Sequence, residues 1–214
     1  MILGLDTATS ATAVAVASAG LTVERRDDPE PGARPGHASR LLALIEETFA
    51  EAGVSWASID RIAVGVGPGG FTGLRIGIAT ARALAQARDL PLAGVSSLAA
   101  LAAGARHDGP IVAVIDARRG EVFAASPGGF EPVALTPAAL AERIEPGSMA
   151  VGDGAVRFRE ELERAGTFVP VDHSPSHRVS AAQICRLGAD VEPADRDALL
   201  PDYRREPDAK PRQQ

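Results

Sequence analysis

The chain has 214 residues, 45% of them hydrophobic and 23% charged, enough apolar material to bury a sizeable core as one domain of two lobes or as two small domains. A net charge of -6 and a pI of about 5.3 exclude a protein that grips nucleic acid through its overall charge, since such affinity comes largely from neutralised phosphates; only a local basic patch would serve. The single cysteine, Cys185, excludes an internal disulfide and a four-cysteine metal site and fits a reduced cytoplasmic protein. Residues 1 to 20 lack the basic start and unbroken apolar stretch of a signal peptide, and no run approaches the roughly 18 apolar residues of a membrane span. Aromatics are only 4%, so Ala, Val, Leu and Ile must fill the core and backbones can come close together.

In chain order, Ile2 to Leu5 reads as a short buried strand, Asp6 to Ser10 as a polar turn, Ala11 to Ala17 as a second strand and Leu21 to Glu24 as a third. The Asp-, Pro- and Gly-rich stretch from Arg26 to Gly36 is a loop before a helix from His37 to Ala52, whose apolar positions Leu41, Leu44, Ile45 and Phe49 recur at helical spacing and which Gly53 caps. A strand over Arg61 to Val66 leads into the turn Gly65-Val66-Gly67-Pro68-Gly69-Gly70. A helix from Thr72, its expected N-cap, to Ala87 follows, then a strand over Pro91 to Val95. The second half repeats the theme: Ile111 to Ile115 is an apolar strand ending at Asp116, followed by the turn Ala117 to Gly120 and a strand from Glu121 to Ala125. Pro137 to Ile144 reads as helix, Met149 to Val151 as a short strand, Ser180 to Ala189 as helix, and Pro201 onward as an extended polar tail.

Strand, Asp, turn and antiparallel strand thus occur twice, about 110 residues apart. A duplicated hairpin opening two lobes that continue into helices is the arrangement of the actin-like and sugar-kinase ATPases. The expected fold is therefore α/β, actin-like, with two related lobes of mixed sheet flanked by helices: an N-terminal lobe over 1–104, a smaller one over 105–198 and a tail over 199–214.

The glycine turn admits three interpretations. The spacing Gly65-x4-Gly70-Phe71-Thr72 has P-loop length, but Phe71 stands where a lysine must reach the β- and γ-phosphates, and the chain's one lysine is Lys210. Gly65-x-Gly67-x-x-Gly70 also matches a dinucleotide fingerprint, which wants an acidic residue about 20 positions on at the end of the next strand; Asp89 has the distance but precedes that strand and ends the helix instead. The third interpretation is structural: the glycines let the chain turn sharply and approach a neighbour closely. Gly73, Gly77, Ala81 and Ala85, four apart, form a flat stripe on the following helix, flanked by Leu74, Ile78 and Leu84, that either meets another subunit or faces the chain's own sheet.

Other chemistry-bearing residues are few. Asp6 sits where an actin-like ATPase orders metal and phosphate, with Thr7 and Thr9 as hydroxyl donors, although a turn aspartate commonly caps backbone N–H groups. Asp116 is the matching position of the second lobe, but Arg118 and Arg119 follow it where small residues would let backbone approach phosphate. His37 lacks a second ligand at i+4, where Leu41 stands, and reads as a helix-start residue; His107, His173 and His177 lie in loops, and no metal site is expected.

Taken together, the motifs resemble the TsaB (YeaZ) family of tRNA-modification proteins. The matching pieces are Ile2-Leu3-Gly4-Leu5-Asp6-Thr7-Ala8-Thr9, the long segment Gly65 to Gly77, Gly94 to Leu98, Ile115 to Phe123, Val151 to Ala155, and Pro201 to Lys210. The resemblance implies an actin-like fold without catalysis of its own, a degenerate paralogue of the catalytic subunit TsaD that lacks its His-x3-His metal pair. It implies a partner needed for threonylcarbamoyl transfer to the adenosine beside the anticodon of tRNAs reading codons that begin with adenine. It implies a heterodimer with TsaD, the ATPase TsaE as third partner, a homodimer when alone, tRNA contact through the complex, and no cofactor beyond weak ATP or ADP binding at the partner interface. On this basis Gly70, Phe71, Thr72, Gly73, Leu74, Arg75, Gly77, Ile78 and Ala81 form the partner interface, and Gly77→Leu is expected to abolish the heterodimer while leaving the monomer folded. Asp6, Thr7, Thr9, Asp116 and Arg118 would lie near nucleotide. The second lobe is short after Val151. The alternative from another class is a stand-alone nucleotide-binding ATPase or small-molecule kinase on the same fold; a metallopeptidase would need a metal pair that the sequence does not display.

Overall fold

The computed structural model describes residues 1–30 and 32–204. The first sheet is built from β1 (Ile2–Asp6), β2 (Thr12–Ser18), β3 (Leu21–Asp27), β4 (Arg61–Gly67) and β5 (Leu92–Ser96), in the order β3-β2-β1-β4-β5. The first three strands are antiparallel and the last two join in parallel, with Leu5 opposite both Val14 and Val64. β1 and β4 are apolar almost throughout because helices cover both faces of the sheet. The second sheet, of β6 (Ile111–Arg118), β7 (Glu121–Ser126), β8 (Phe130–Leu135) and β9 (Met149–Val151), runs β8-β7-β6-β9. Each sheet therefore opens on a three-strand antiparallel meander whose first strand then pairs in parallel with a later one. This repeated order is the two-lobed α/β, actin-like architecture.

The helix α1 (His37–Ala52) buries Leu41, Leu44, Ile45, Thr48 and Phe49, the i, i+3, i+4, i+7, i+8 stripe of an amphipathic helix, and stops at Gly53 in the left-handed conformation with φ 64°. The glycine turn feeds α2 (Phe71–Arg88), which begins one residue before Thr72; its N-cap is Gly70, without a side-chain hydrogen bond, so Thr72 does not cap it. Asp89, φ 52°, ends this helix. β6 runs through Asp116 to Arg118, so the hairpin turn narrows to Arg119 and Gly120, both at positive φ. The helix expected over 137–144 is regular only over α4 (Pro137–Ala141), started by Thr136 as N-cap. Four further elements carry no clear local signal in the sequence: α3 (Ser97–Ala103), strand β8, and the two short helices α5 (Asp153–Arg157) and α6 (Arg159–Arg164).

The last helix, α7 (Ala181–Ala189), was expected to belong with the second lobe. It lies instead under the first sheet, with Cys185 among Ala13, Ala15 and Ala181. Both ends are held from that sheet: Glu24 on β3 accepts from Ser180 Oγ at 2.7 Å and from the Ala181 amide at 2.9 Å, while Arg61 on β4 donates to the carbonyls of Gly188, Ala189 and Val191 at 2.8, 3.0 and 2.9 Å. A carboxylate at the N-terminus and a guanidinium at the C-terminus also complement the helix dipole. Close approach requires glycine, because a Cβ on Gly4 would lie 2.6 Å from Cys185 Sγ and one on Gly188 would lie 2.5 Å from Ala63 Cβ. Burial pushes the Cys185 thiol up to about 12, so it packs as a small apolar group. One core cluster joins the two sheets through α3 and α7: Ala63, Ala93 and Val95 meet Ala113, Ile115 and Phe123 around Leu98, Leu101 and Ile184.

Replacing Gly4 by Val should destabilise the protein by about 2 kcal/mol or more through overpacking against α7. Gly20→Ala, where an added Cβ meets nothing within 4 Å, should leave the thermal midpoint unchanged when both variants are compared with wild type by scanning calorimetry.

Candidate functional site

Between the two sheets lies a cleft of about 970 Å³. One wall is the turn Ala8 to Ser10 with Gly69, Gly70 and the first turns of α2; the other is the end of β6, Ile115 to Arg118, with Phe123 and Asp153. Arg34 and the segment Asp202 to Arg204 complete the rim. Of the residues singled out from sequence, Thr9, Gly70, Phe71, Thr72, Gly73, Arg75, Asp116 and Arg118 line this cleft; Asp6, Thr7, Leu74, Gly77, Ile78 and Ala81 do not.

Asp6 is 1% exposed, and its carboxylate accepts from the Ala8 amide at 3.0 Å and from Ser97 Oγ at 2.7 Å. Gly65 lies so close that any Cβ there would overlap the Asp6 carboxylate. Burial raises the Asp6 pKa, against the lowering effect of the two hydrogen bonds. Thr7 is equally buried and donates its hydroxyl to the Gly73 carbonyl at 2.8 Å. The Gly70 amide is spent on the Ala8 carbonyl at 2.7 Å. An added Cβ on Gly69 would overlap the Ala8 carbonyl, one on Gly73 the Thr7 carbonyl, and one on Gly77 the Thr7 hydroxyl. Gly69, Gly73 and Gly77 press on the turn after β1, Gly65 on Asp6 at the end of that strand and Gly67 on Leu74 of α2, which is the structural interpretation of the motif.

This geometry corrects the expected partner interface. The stripe Gly73, Gly77, Ala81 and Ala85 is buried within the chain, against Thr7 and the ring of His37 in the case of the two glycines, and Leu74 and Ile78 are buried beside it. Small residues at i+4 spacing mark close helix contact, and the contact here is with the chain's own hairpin. The exposed face of α2 carries Phe71, Thr72, Arg75, Ala79 and Ala83. Gly77→Leu would therefore strain the monomer itself, contrary to the expectation that it spares the fold.

In the second wall Asp116 accepts from the Arg118 amide at 2.8 Å and forms ion pairs with Arg118 at 3.2 Å and Arg157 at 3.0 Å. Its own amide donates to Asp153 Oδ1 at 3.0 Å, and burial raises the pKa of Asp153. Asp153 was not singled out as a site residue, although it lies in the Gly152-Asp153-Gly154 segment. His37 is buried, its Nδ1 2.9 Å from Thr12 Oγ1, and burial lowers its pKa, which keeps the ring neutral near pH 7. Leu41 at i+4 is in the core. Among the described residues no group of three His, Cys, Asp or Glu side chains could hold a metal ion, and no helix is long and apolar enough to cross a membrane. Of the tail motif, residues from Arg205 to Lys210 lie outside the described residues; Tyr203, missed as a site residue, stacks on Phe71 with ring centroids 5.4 Å apart.

Two mixed sheets with a shared strand order around a cleft define an actin-like two-lobed protein. Residues 29–153 match the family model described as TsaD: tRNA N6-adenosine threonylcarbamoyltransferase. The chain is 42% identical over 125 residues to the tRNA threonylcarbamoyladenosine biosynthesis protein TsaB of Escherichia coli K12, a match spanning 57% of this chain and 52%, about half, of that protein. An uncharacterized protein of Mycobacterium tuberculosis is 36% identical over 98% of this chain and 94% of its own length. The solved structure of YeaZ from Pseudomonas aeruginosa superposes with a TM-score of 0.75 at 31% identity, covering 94% of this chain and 98% of that one. The chain belongs to the TsaB/YeaZ family.

Asp6→Asn tests the role of the buried carboxylate. A raised folded pKa means that ionisation opposes folding above that pKa, and protonation relieves it below the unfolded value. The amide keeps an acceptor for Ala8 and removes the charge, so the variant should melt at or above the wild-type temperature at neutral pH. The difference should vanish as pH falls below the carboxylate's unfolded range. Gly77→Leu should lower stability by about 2 kcal/mol or more by forcing α2 off Thr7, whereas Ala79→Leu on the exposed face should melt as the wild type does.

Proposed function

We infer that this chain takes part in making threonylcarbamoyladenosine on tRNA, as a partner subunit that has no catalytic site of its own. The observation that carries this is the match to YeaZ over nearly the full length of both chains, together with the names borne by its curated relatives. The interior of the first lobe supports the non-catalytic part. Asp6, at the position expected to order phosphate, is held by Ser97 and Ala8, and the glycines beside it are packed on the chain's own turn.

In this proposal the chain binds and activates the catalytic subunit TsaD, with the ATPase TsaE as third component, for transfer to the adenosine beside the anticodon of tRNAs reading codons that begin with adenine. tRNA is contacted through the complex. The docking face is the exposed side of α2, where Thr72, Ala79 and Ala83 leave room for a second helix and Phe71 and Arg75 stand at its end. The same face would pair two copies when TsaD is absent. The cleft beside it, with an apolar floor of Ile76, Ile115 and Phe123 and the arginines Arg34, Arg75, Arg118 and Arg204 around it, suits weak binding of ATP or ADP.

The test is reconstituted threonylcarbamoyl transfer to unmodified tRNA by TsaD and TsaE, with and without the chain. Modification should require it, and Ala79→Arg with Ala83→Arg should abolish co-elution with TsaD and the activity while leaving the melting temperature of the chain unchanged. Equal modification without the chain, or full activity of the double variant, would contradict the proposal.

A further inference from the structure

The segment after α7 returns across the molecule. Ala194 bridges to Leu92 at the edge of the first sheet, Leu199 enters the first core at 9% exposure, and the Asp202 amide donates to the Val66 carbonyl at 2.8 Å. Beyond this anchor the chain reaches the rim of the cleft. Tyr203 lays its ring on one side of Phe71, Arg75 places its guanidinium carbon 3.9 Å from the centre of the Phe71 ring, and Arg75 Nε donates to the Tyr203 hydroxyl at 2.8 Å. Arg204 then donates to the Pro132 carbonyl of β8 at 3.3 Å, on the opposite lobe.

The contrast between anchor and tip is the informative feature. Up to Asp202 the segment, although largely exposed, is tied by the Leu199 side chain in the first core and by the backbone hydrogen bonds of Ala194 to Leu92 and of Asp202 to Val66. At the tip Tyr203 is 46% exposed and Phe71 56% exposed, and the contacts are a ring stack, cation–π pairs of Arg75 with both rings, solvent-facing hydrogen bonds and an ion pair of Arg204 with Asp202 at 2.6 Å. Such contacts favour the closed position over an open one by about tenfold, because each is partly replaced by water when it breaks. The half-exposed ring of Phe71 is also the aromatic surface of the cleft rim on which a nucleobase would stack, with Arg34 and Arg118 among the other lining residues for phosphate.

We propose that Tyr203 and Arg204 form a latch over the cleft, closed in the isolated chain, which a purine nucleotide opens by taking the place of the Tyr203 ring on Phe71. This rests on the reading of the cleft as a nucleotide site. The bound state then carries a conformational penalty that the latch sets, and the apparent affinity falls by the fraction of chains that are open.

Tyr203 is the sole tyrosine, so full-length chain grown with 3-fluorotyrosine gives a single fluorine resonance that reports the latch directly. Phe71→Leu should move this resonance by removing the ring current, and ATP or ADP should move it in the same direction in the wild-type chain. By calorimetry Tyr203→Ala should bind ATP about three- to tenfold more tightly than wild type, with Tyr203→Phe in between. A resonance insensitive to Phe71→Leu would overturn the closed latch. Weaker or equal binding by Tyr203→Ala would overturn the gating, the first outcome placing Tyr203 in the binding platform itself. If neither form binds ATP or ADP while the resonance still responds to Phe71→Leu, the cleft is not a nucleotide site and the gating falls with it. The partner role is tested separately by the transfer assay.

Discussion

The turn after the first strand is pinned beneath the first half of α2, and the shape of the cleft follows from that contact. The Thr7 hydroxyl bonds the Gly73 carbonyl, the Gly70 amide bonds the Ala8 carbonyl, and Gly69, Gly73 and Gly77 have no room for a Cβ. A buried hydroxyl that lost its partner there would cost about 1–3 kcal/mol, so the contact is held by polar satisfaction as well as by shape. Because the helix lies so low, Asp6 faces Ser97 and Gly65 and does not open into the cleft. The two features that look most like an ATPase in sequence, a strand-end aspartate and a glycine-rich turn, are thereby used on each other.

The second constraint is the clamp on α7. Glu24 and Arg61, both on the first sheet, grip the two ends of a helix that comes after all four strands of the second. The chain leaves the first lobe at α3, builds the second, and returns to lie under β1 and β2, so the lobes share a core around Leu101 and Ile184. With only 4% aromatic residues, this core depends on alanine and glycine allowing backbones to approach, and dispersion among many close atoms replaces the larger payload of aromatic rings.

Much of the architecture was legible from local signals. The duplicated strand-Asp-turn-strand, the α1 stripe from Leu41 to Phe49 and the left-handed Gly53 are sequence-local, and each is present, the second hairpin with a turn two residues shorter than its pattern indicates. What the sequence did not disclose is which neighbour a flat helix face meets. Gly73, Gly77 and Ala81 announce close contact, yet only the fold shows that the neighbour is Thr7 and not another subunit. The placement of α7 was hidden for the same reason, since its hydrophobic stripe says that it packs and not against which sheet. Of the cleft, Thr9, Asp116 and Arg118 were readable from the duplicated hairpins, whereas Asp153 and Tyr203 arrive from distant segments and carry no spacing signal relative to them. β8, with only intermediate burial and a proline in its middle, gave little periodicity to find.

A structural role for the first-lobe carboxylate is what separates a partner subunit from an enzyme on this fold. The direct measurement is threonylcarbamoyl transfer to tRNA in the reconstituted system with Asp6→Asn in place of the wild-type chain, its folding checked by circular dichroism. Transfer at the wild-type rate is the result predicted for a side chain that only accepts from Ser97 and Ala8. A folded Asp6→Asn chain that no longer supports transfer would contradict it and assign Asp6 a part in the chemistry.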